Sequence, residues 1–241
     1  MPNTNDGVTP RPIKNRILHG LPPEELKRIL PRLELVDLAA KTVLIAPEQD
    51  VKSVHFVEGG IVSMVSTLED GARIEVGMVG FEGMIGLPVL LGSGTSPWEA
   101  MVQVDGRAWR MPASAFRSAL AELPSLMRVL LRYLDAVQSQ IAQSAACNGR
   151  HPIEQRLARW LLTALDRVEE DSFLMTQEFM STMLGVRRPG VTLAIGALQR
   201  AGLVRHERGT MHVLDRSGLE AASCECHDIV RRRLSWLMDI D

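Results

Sequence analysis

The spacing of apolar residues changes from helical to alternating and back to helical along this chain. From Leu21, the run "LPPEELKRILPRLELVDL" places Leu26, Ile29, Leu30 and Leu33 at helical intervals, interrupted by Pro31. In "SVHFVEGGIVSMVSTLEDGARIEVGMVG" the period becomes two, and Gly59-Gly60 and Asp70-Gly71 read as turns between strands. Alternation in "ARIEVGM" sends Ile74, Val76 and Met78 to one face and Arg73, Glu75 and Gly77 to the other. "WEAMVQVDGRAWRMP" reads as two further strands about Asp105-Gly106. Short strands separated by glycine turns predict an antiparallel sandwich or barrel.

The helical period then persists over 113–146 with one interruption, at Pro124. Leu126, Leu130, Tyr133 and Val137 recur at the intervals of a coiled-coil seam, which predicts a homodimer through this helix. The seam gives way to Gln140 and Ser144, so the apolar contact spans about three turns. Leu131, Leu134 and Ile141 add a flanking stripe, which gives the helix one side for the β region and another for a partner helix. An ordinary core helix against the β region is the alternative reading. "CNGRHP", Cys147 to Pro152, combines Asn-Gly with His-Pro and reads as the domain boundary. Beyond it, "IEQRLARWLLTALDRV" is an amphipathic helix with Ile153, Leu157, Trp160, Leu161, Ala164 and Leu165 inward.

The segment "TQEFMSTMLGVRRPGVTLAIGALQRAGLVRHERGTMHVLD" carries the most specific pattern. Thr176 is an N-cap candidate ahead of a short helix, Gly185 marks a turn, and a second helix sets Val191, Ile195 and Leu198 on one face. Two helices joined by a glycine turn form a helix-turn-helix. "LVRHERGTMHVLD" then alternates about Arg208-Gly209 as a two-stranded wing. The second helix opens on Arg187, Arg188, Pro189 and Gly190. Proline costs no hydrogen bond in a first helical turn, and glycine there permits close approach of another backbone. Paired arginines at a helix N-terminus are disfavoured by the dipole, by roughly 0.3–1 kcal/mol each, unless an anionic partner meets them.

Charge sharpens this picture. Net charge is −2 over 241 residues, so attraction to a polyanion must come from local clustering. From Arg150 onward thirteen basic residues face thirteen acidic ones, yet Arg187 to Arg216 holds six arginines against Glu207 and Asp215. The positive charge thus gathers where the motif would meet DNA. The expected DNA contacts are Gln177, Arg187, Arg188 and Thr192 in the helices, with Arg205 and Arg208 in the wing. Hydrophobic residues at 46% and charged residues at 23% suit a soluble globular protein. The segment 1–12 reads as a polar tail, and "MIGLPVLLG" is far shorter than a membrane span. Cys147, Cys224 and Cys226 do not make a disulfide framework, so a reducing cytoplasm is expected.

The order β region, long helix, winged helix-turn-helix resembles the cyclic-AMP-receptor/FNR superfamily of bacterial transcription regulators over nearly the whole chain. "TQEFMSTMLGVRRPGVTLAIGALQRAGLV" is similar to the family's motif of Gln-Glu, a central Gly, an Arg and a closing "L…GL". The resemblance implies an α+β fold: a cyclic-nucleotide-binding-like β-roll (jelly roll) over 13–112, a dimerisation helix over 113–146 and a DNA-binding domain over 150–241. It puts Arg188 at the first base-reading position, while Pro189 and Leu193 replace the family's following glutamate and second arginine. It implies double-stranded DNA bearing an inverted repeat as partner, a homodimer, and RNA polymerase if the protein activates.

The β-roll of such proteins holds a small effector. "VGFEGMIGLPVLLG" is similar to the family's glycine-rich turn, with Glu82 near the ribose-binding position. Where an arginine would hold the phosphate, this chain has Pro97-Trp98-Glu99, and Glu99 would repel it. A signal other than a cyclic nucleotide is therefore expected, of unidentified chemistry. The N-terminal cysteines of iron–sulfur relatives are missing. "CECH", Cys224 to His227, is too tightly spaced to enclose an ion without further ligands and reads as buried cysteines, so no metal or cofactor is expected. His55 reads as structural, and no nucleophile–histidine pair or histidine cluster suggests an enzyme. The alternative function is an interaction module whose winged helix binds a protein.

Overall fold

The computed structural model describes residues 13–168 and 170–235; the tail read at 1–12 lies outside them. Helix α1 (Arg16–His19) and α2 (Pro23–Ile29) lead in, and Pro31 sits in a 3-10 turn, Leu30–Arg32, that ends the helical stretch. The β-roll follows: β1 (Glu34–Leu38), β2 (Val43–Ile45), β3 (Ser53–Thr67), β4 (Arg73–Val79), β5 (Met84–Ile85), the short α3 (Leu87–Leu91) and β6 (Glu99–Pro112). All pairings are antiparallel, in the order β1-β6-β3-β4, with β2 on β6 and β5 on β3.

Asp70-Gly71 does turn the chain between β3 and β4, with Gly71 at φ +80°. Gly59-Gly60 and Asp105-Gly106 do not. They lie inside β3 and β6 and face one another across an irregular register. A Cβ on Gly106 would fall 1.9 Å from the Gly59 carbonyl oxygen, and Gly60 has φ +82°. The glycines make a shared bulge that bends two long strands. The expected single face of Ile74, Val76 and Met78 is likewise split. A register shift between Met64 and Val65 puts Val76 against the roll interior, while Met78 packs with the C-terminal domain, as does Glu75 through Trp160.

The helix expected over 113–146 is two helices, α4 (Ala113–Glu122) and α5 (Pro124–Arg150), with Pro124 in the first turn of α5. Asn148 and Gly149 belong to the last turn of α5, and the break falls at His151-Pro152. The seam assignment is corrected. Leu126, Leu130, Tyr133 and Val137 are buried in the chain's own core, against the β-roll. The Tyr133 hydroxyl donates to the Met84 carbonyl at 3.0 Å. The stripe one residue later turns outward, with Leu131 55% exposed and Met127 and Leu134 half-buried. Heptad spacing marks an apolar stripe without saying which neighbour covers it.

The C-terminal domain comprises α6 (Ile153–Leu165), β7 (Ser172–Leu174), α7 (Gln177–Leu184), α8 (Arg188–Arg200), β8 (Val204–Glu207), β9 (Thr210–Val213), α9 (Arg216–Ala222) and α10 (Cys226–Ser235). The wing is three-stranded, in the order β7-β9-β8. The core of this domain takes in Ile61, Val65 and Met78 from β3 and β4, so the two domains pack as one body. Helix α10 returns to α5 and adds Val230 and Leu234 to the β-roll core.

Candidate nucleic-acid interface

Helix α7 starts where Thr176 caps it, its hydroxyl accepting from the Phe179 N–H at 3.2 Å. It stops at Gly185, which is left-handed at φ +60°, while the Val186 N–H donates back to the Ser181 carbonyl at 3.0 Å. Arg156 of α6 donates to the Leu184 carbonyl at that end and, through Nε, to Asn148 Oδ1 at 3.1 Å. A guanidinium at a helix C-terminus meets both the orphan carbonyls and the dipole. The turn between α7 and α8 is therefore fixed from below.

Arg187 is the N-cap of α8, and Arg188 and Pro189 open it. The close neighbour that Gly190 admits is a side chain: a Cβ there would lie 3.3 Å from Ile153 Cδ1. Arg187, Arg188, Pro189, Thr192 and Leu193 are exposed, Leu193 at 69%. Arg188 pairs with Glu178 of α7 at 2.6 Å, both side chains in solvent. Such a pair contributes little, about 0–1 kcal/mol, and yields readily to a better anion. Among the described residues no carboxylate pairs with Arg187.

The structure joins several of the expected contact residues. The Thr192 hydroxyl lies 3.1 Å from Gln177 Oε1 and 3.1 Å from the Arg188 carbonyl, tying the starts of α7 and α8 together. At the wing tip Arg208 and Gly209 have φ +51° and +81°, as a primed hairpin turn needs. The Gly209 carbonyl accepts from the Met175 N–H at 2.6 Å, which sets Arg208 next to the start of α7. Arg205 is exposed and faces Glu207 at 3.6 Å. Arg216 departs from the basic cluster: it pairs with Asp166 and, at 3.1 Å, with Glu220.

The β-roll residues Glu82 and Glu99 are engaged within the protein. Glu82 is buried, and Arg167 donates to it through Nε at 2.8 Å; Arg167 Nη2 lies 2.7 Å from the same oxygen without hydrogen-bond alignment. Glu82 is thus a clasp to the winged-helix domain. Glu99 pairs with Arg73. A Cβ on Gly83 would lie 2.4 Å from the Tyr133 ring, so α5 presses directly on the glycine-rich turn. His55 is buried with Nδ1 unpartnered, and burial beside Arg110 lowers its pKa to about 4, keeping it neutral.

Two clusters escaped sequence reasoning. Glu75 accepts from Trp160 Nε1 at 2.8 Å and lies 2.6 Å from the Ser63 hydroxyl; burial pushes its carboxyl up to about 7. The cysteines of "CECH" do have further ligand candidates. Cys147 and His151, at the end of α5, meet Cys224 and Cys226, and the four ligand atoms lie within 4.8 Å of one another. The expectation that the cysteines of this segment stand without further ligands is corrected on that geometry. Only long-range packing joins these pairs, and no local spacing announces it.

A rolled β-sheet domain, a long helix and a winged helix-turn-helix with exposed arginines define a transcription-regulator architecture. Residues 35–122 match the cyclic nucleotide-binding domain, and residues 155–222 match the Crp-like helix-turn-helix domain. The chain belongs to the Crp/Fnr superfamily of transcription regulators. Among solved structures, a Crp/Fnr-family transcriptional regulator from Eubacterium rectale is 18% identical, with 86% of this chain and 96% of that one covered and a TM-score of 0.67. FixK2 from Bradyrhizobium japonicum is 16% identical over 80% and 98% of the two chains, with a TM-score of 0.68. A CRP-family regulator from Thermus thermophilus is 21% identical over 78% and 96%, with a TM-score of 0.64. At these identities the likeness is one of fold. No curated protein matches the chain significantly.

Proposed function

We propose that this chain is a homodimeric, cytoplasmic regulator that reads an inverted repeat in double-stranded DNA through α8. The observation that carries the reading is the start of α8, where Arg187, Arg188, Thr192 and Leu193 are exposed together on a turn fixed by Thr176, Gly185 and Arg156. The first turn of a recognition helix meets base edges in the major groove. Arg188, held only by a surface pair, reads guanine there. Leu193 offers an apolar contact suited to a thymine methyl group. Gln177 and Arg208, at the adjoining α7 start and wing tip, fit phosphate contacts, as do Arg187 and Arg205. The domain boundaries fall at Pro112 and at His151-Pro152.

The dimer forms through the outward stripe of α5, with Leu131 at its centre. The signal acts through the β-roll and is not a cyclic nucleotide, because Glu99 holds Arg73 and Glu82 holds Arg167. RNA polymerase is a further partner if the bound dimer activates. Among the described residues no helix is long and apolar enough to cross a membrane.

Selection from random duplexes on the purified protein should enrich an inverted repeat with half-site centres about 10–10.5 base pairs apart, or a multiple of that. Affinity should fall steeply with salt. Leu131→Glu should sediment as a folded monomer and lose the repeat. Absence of any enriched sequence would overturn the DNA reading in favour of a protein partner. A dimeric Leu131→Glu variant would overturn the interface.

A further inference from the structure

We propose that Cys147, His151, Cys224 and Cys226 form a mononuclear zinc site that clamps the winged-helix domain to the long helix. Cys147 and His151 stand one turn apart at the end of α5, while Cys224 lies in the α9–α10 connection and Cys226 begins α10. The site therefore closes a loop 77 residues long that contains the whole helix-turn-helix.

Three observations support an ion there. The first is distance. Cys147 Sγ and Cys224 Sγ are 3.6 Å apart, and Cys226 Sγ and His151 Nδ1 are 3.6 Å apart. With zinc–sulfur bonds of about 2.3 Å and zinc–nitrogen bonds of about 2.0–2.1 Å, tetrahedral geometry sets ligand pairs about 3.5–3.8 Å apart. The sulfurs are too far apart for a disulfide, whose bond is about 2.05 Å. Four donors all within 4.8 Å of one another are too close to surround an iron–sulfur cluster, which puts several atoms between its ligands.

The second is the surrounding shell. His151 turns Nδ1 to the cysteines while Nε2 lies 3.5 Å from Glu225 Oε1, the carboxylate–histidine arrangement that orients metal ligands. Gln143 Nε2 donates to Cys226 Sγ at 3.0 Å. The third is charge. Three thiolates and a neutral imidazole around Zn²⁺ carry a net −1, formed with release of the three thiol protons. Arg156 and Arg159 flank Cys147, and Arg159 is nine-tenths buried with Nε unpartnered among the described residues. Three sulfur donors and one nitrogen select zinc over the hard cations.

The full-length protein, purified in reducing buffer without chelator, should hold about one zinc per chain by mass spectrometry. After chelator stripping, cobalt titration should saturate at one equivalent, with thiolate-to-cobalt charge transfer and the intense visible bands of a tetrahedral site. Cys226→Ser should weaken the charge transfer. Glu225→Gln and Gln143→Ala, which keep all four ligands, should lower zinc affinity about 10-fold to 100-fold. If Cys226→Ser fails to fold, the wild-type cobalt titration still decides. A metal-free wild type together with a weak octahedral cobalt spectrum would overturn the site. So would recovery of the anaerobically purified protein as a Cys147–Cys224 disulfide. None of these readouts depends on DNA binding.

Discussion

The winged-helix domain is held at two places by opposite chemistries. Against the β-roll, the contact is between hard groups: Glu82 with Arg167, and Glu75 with Trp160 and Ser63, all without solvent. Against the long helix, the contact is between three thiols and an imidazole. The hard clasp is complete as built, because each carboxylate already has donors from the other domain. The soft clasp brings four metal-ligating atoms together with only weak bonds among them. Opening the first breaks the buried Glu82–Arg167 pair, whereas the proposed zinc clamp opens when its ion is removed.

Arg167→Ala should have the largest effect. Removing one partner leaves Glu82 buried and unpaired, at a cost of about 3–5 kcal/mol in denaturant unfolding. The double replacement Glu82→Met with Arg167→Leu should recover much of that loss, because no charge is then stranded. A single replacement costing under about 1 kcal/mol would mean that the interface is wetter than its burial implies.

Glu75 sharpens the same clasp through pH. Its carboxyl stands at about 7 in the fold against an ordinary 4.5; burial raises it, and Ser63, Trp160, Arg159 and Arg167 oppose the rise. The protonated form is therefore favoured in the folded state. Its contribution is fully present below about 4.5 and lost as pH rises through about 7. Ser63 is consistent with this. Its one proton faces both Glu75 Oε2 and Gln103 Oε1, and a protonated Glu75 resolves the conflict by donating to Ser63. Urea unfolding at pH 5 to 8 should show the wild type losing stability relative to Glu75→Gln across that window. Parallel curves for the two proteins would remove Glu75 from the account of the interface.

The helix-turn-helix was legible because each part is local. Thr176, Gly185 and the face of Val191, Ile195 and Leu198 sit within one short stretch, and a cap, a left-handed glycine and a helical stripe need no distant partner. The β-roll was legible in kind and misread in detail. Gly59-Gly60 and Gly106 look like turns along the chain and become a bulge only when β3 and β6 are set side by side. The stripes of α5 were both visible, but their assignment depended on which one the β-roll covers. Burying Leu126, Leu130, Tyr133 and Val137 contributes about 1.5–3 kcal/mol each, so charges there would unfold the chain. The Cys–His cluster was illegible because its halves lie 77 residues apart.

The central claim is that α8 reads DNA, and fluorescence anisotropy on the selected duplex and on a scrambled one tests it most directly. Arg188→Ala should cost on the order of 1–3 kcal/mol on the selected site, relax discrimination at one base pair per half-site, and leave scrambled DNA nearly unaffected. Arg187→Ala should weaken both duplexes alike and flatten the salt slope by about one unit per half-site. Unchanged affinity and sequence preference in both variants would contradict the assignment of α8 as the recognition helix.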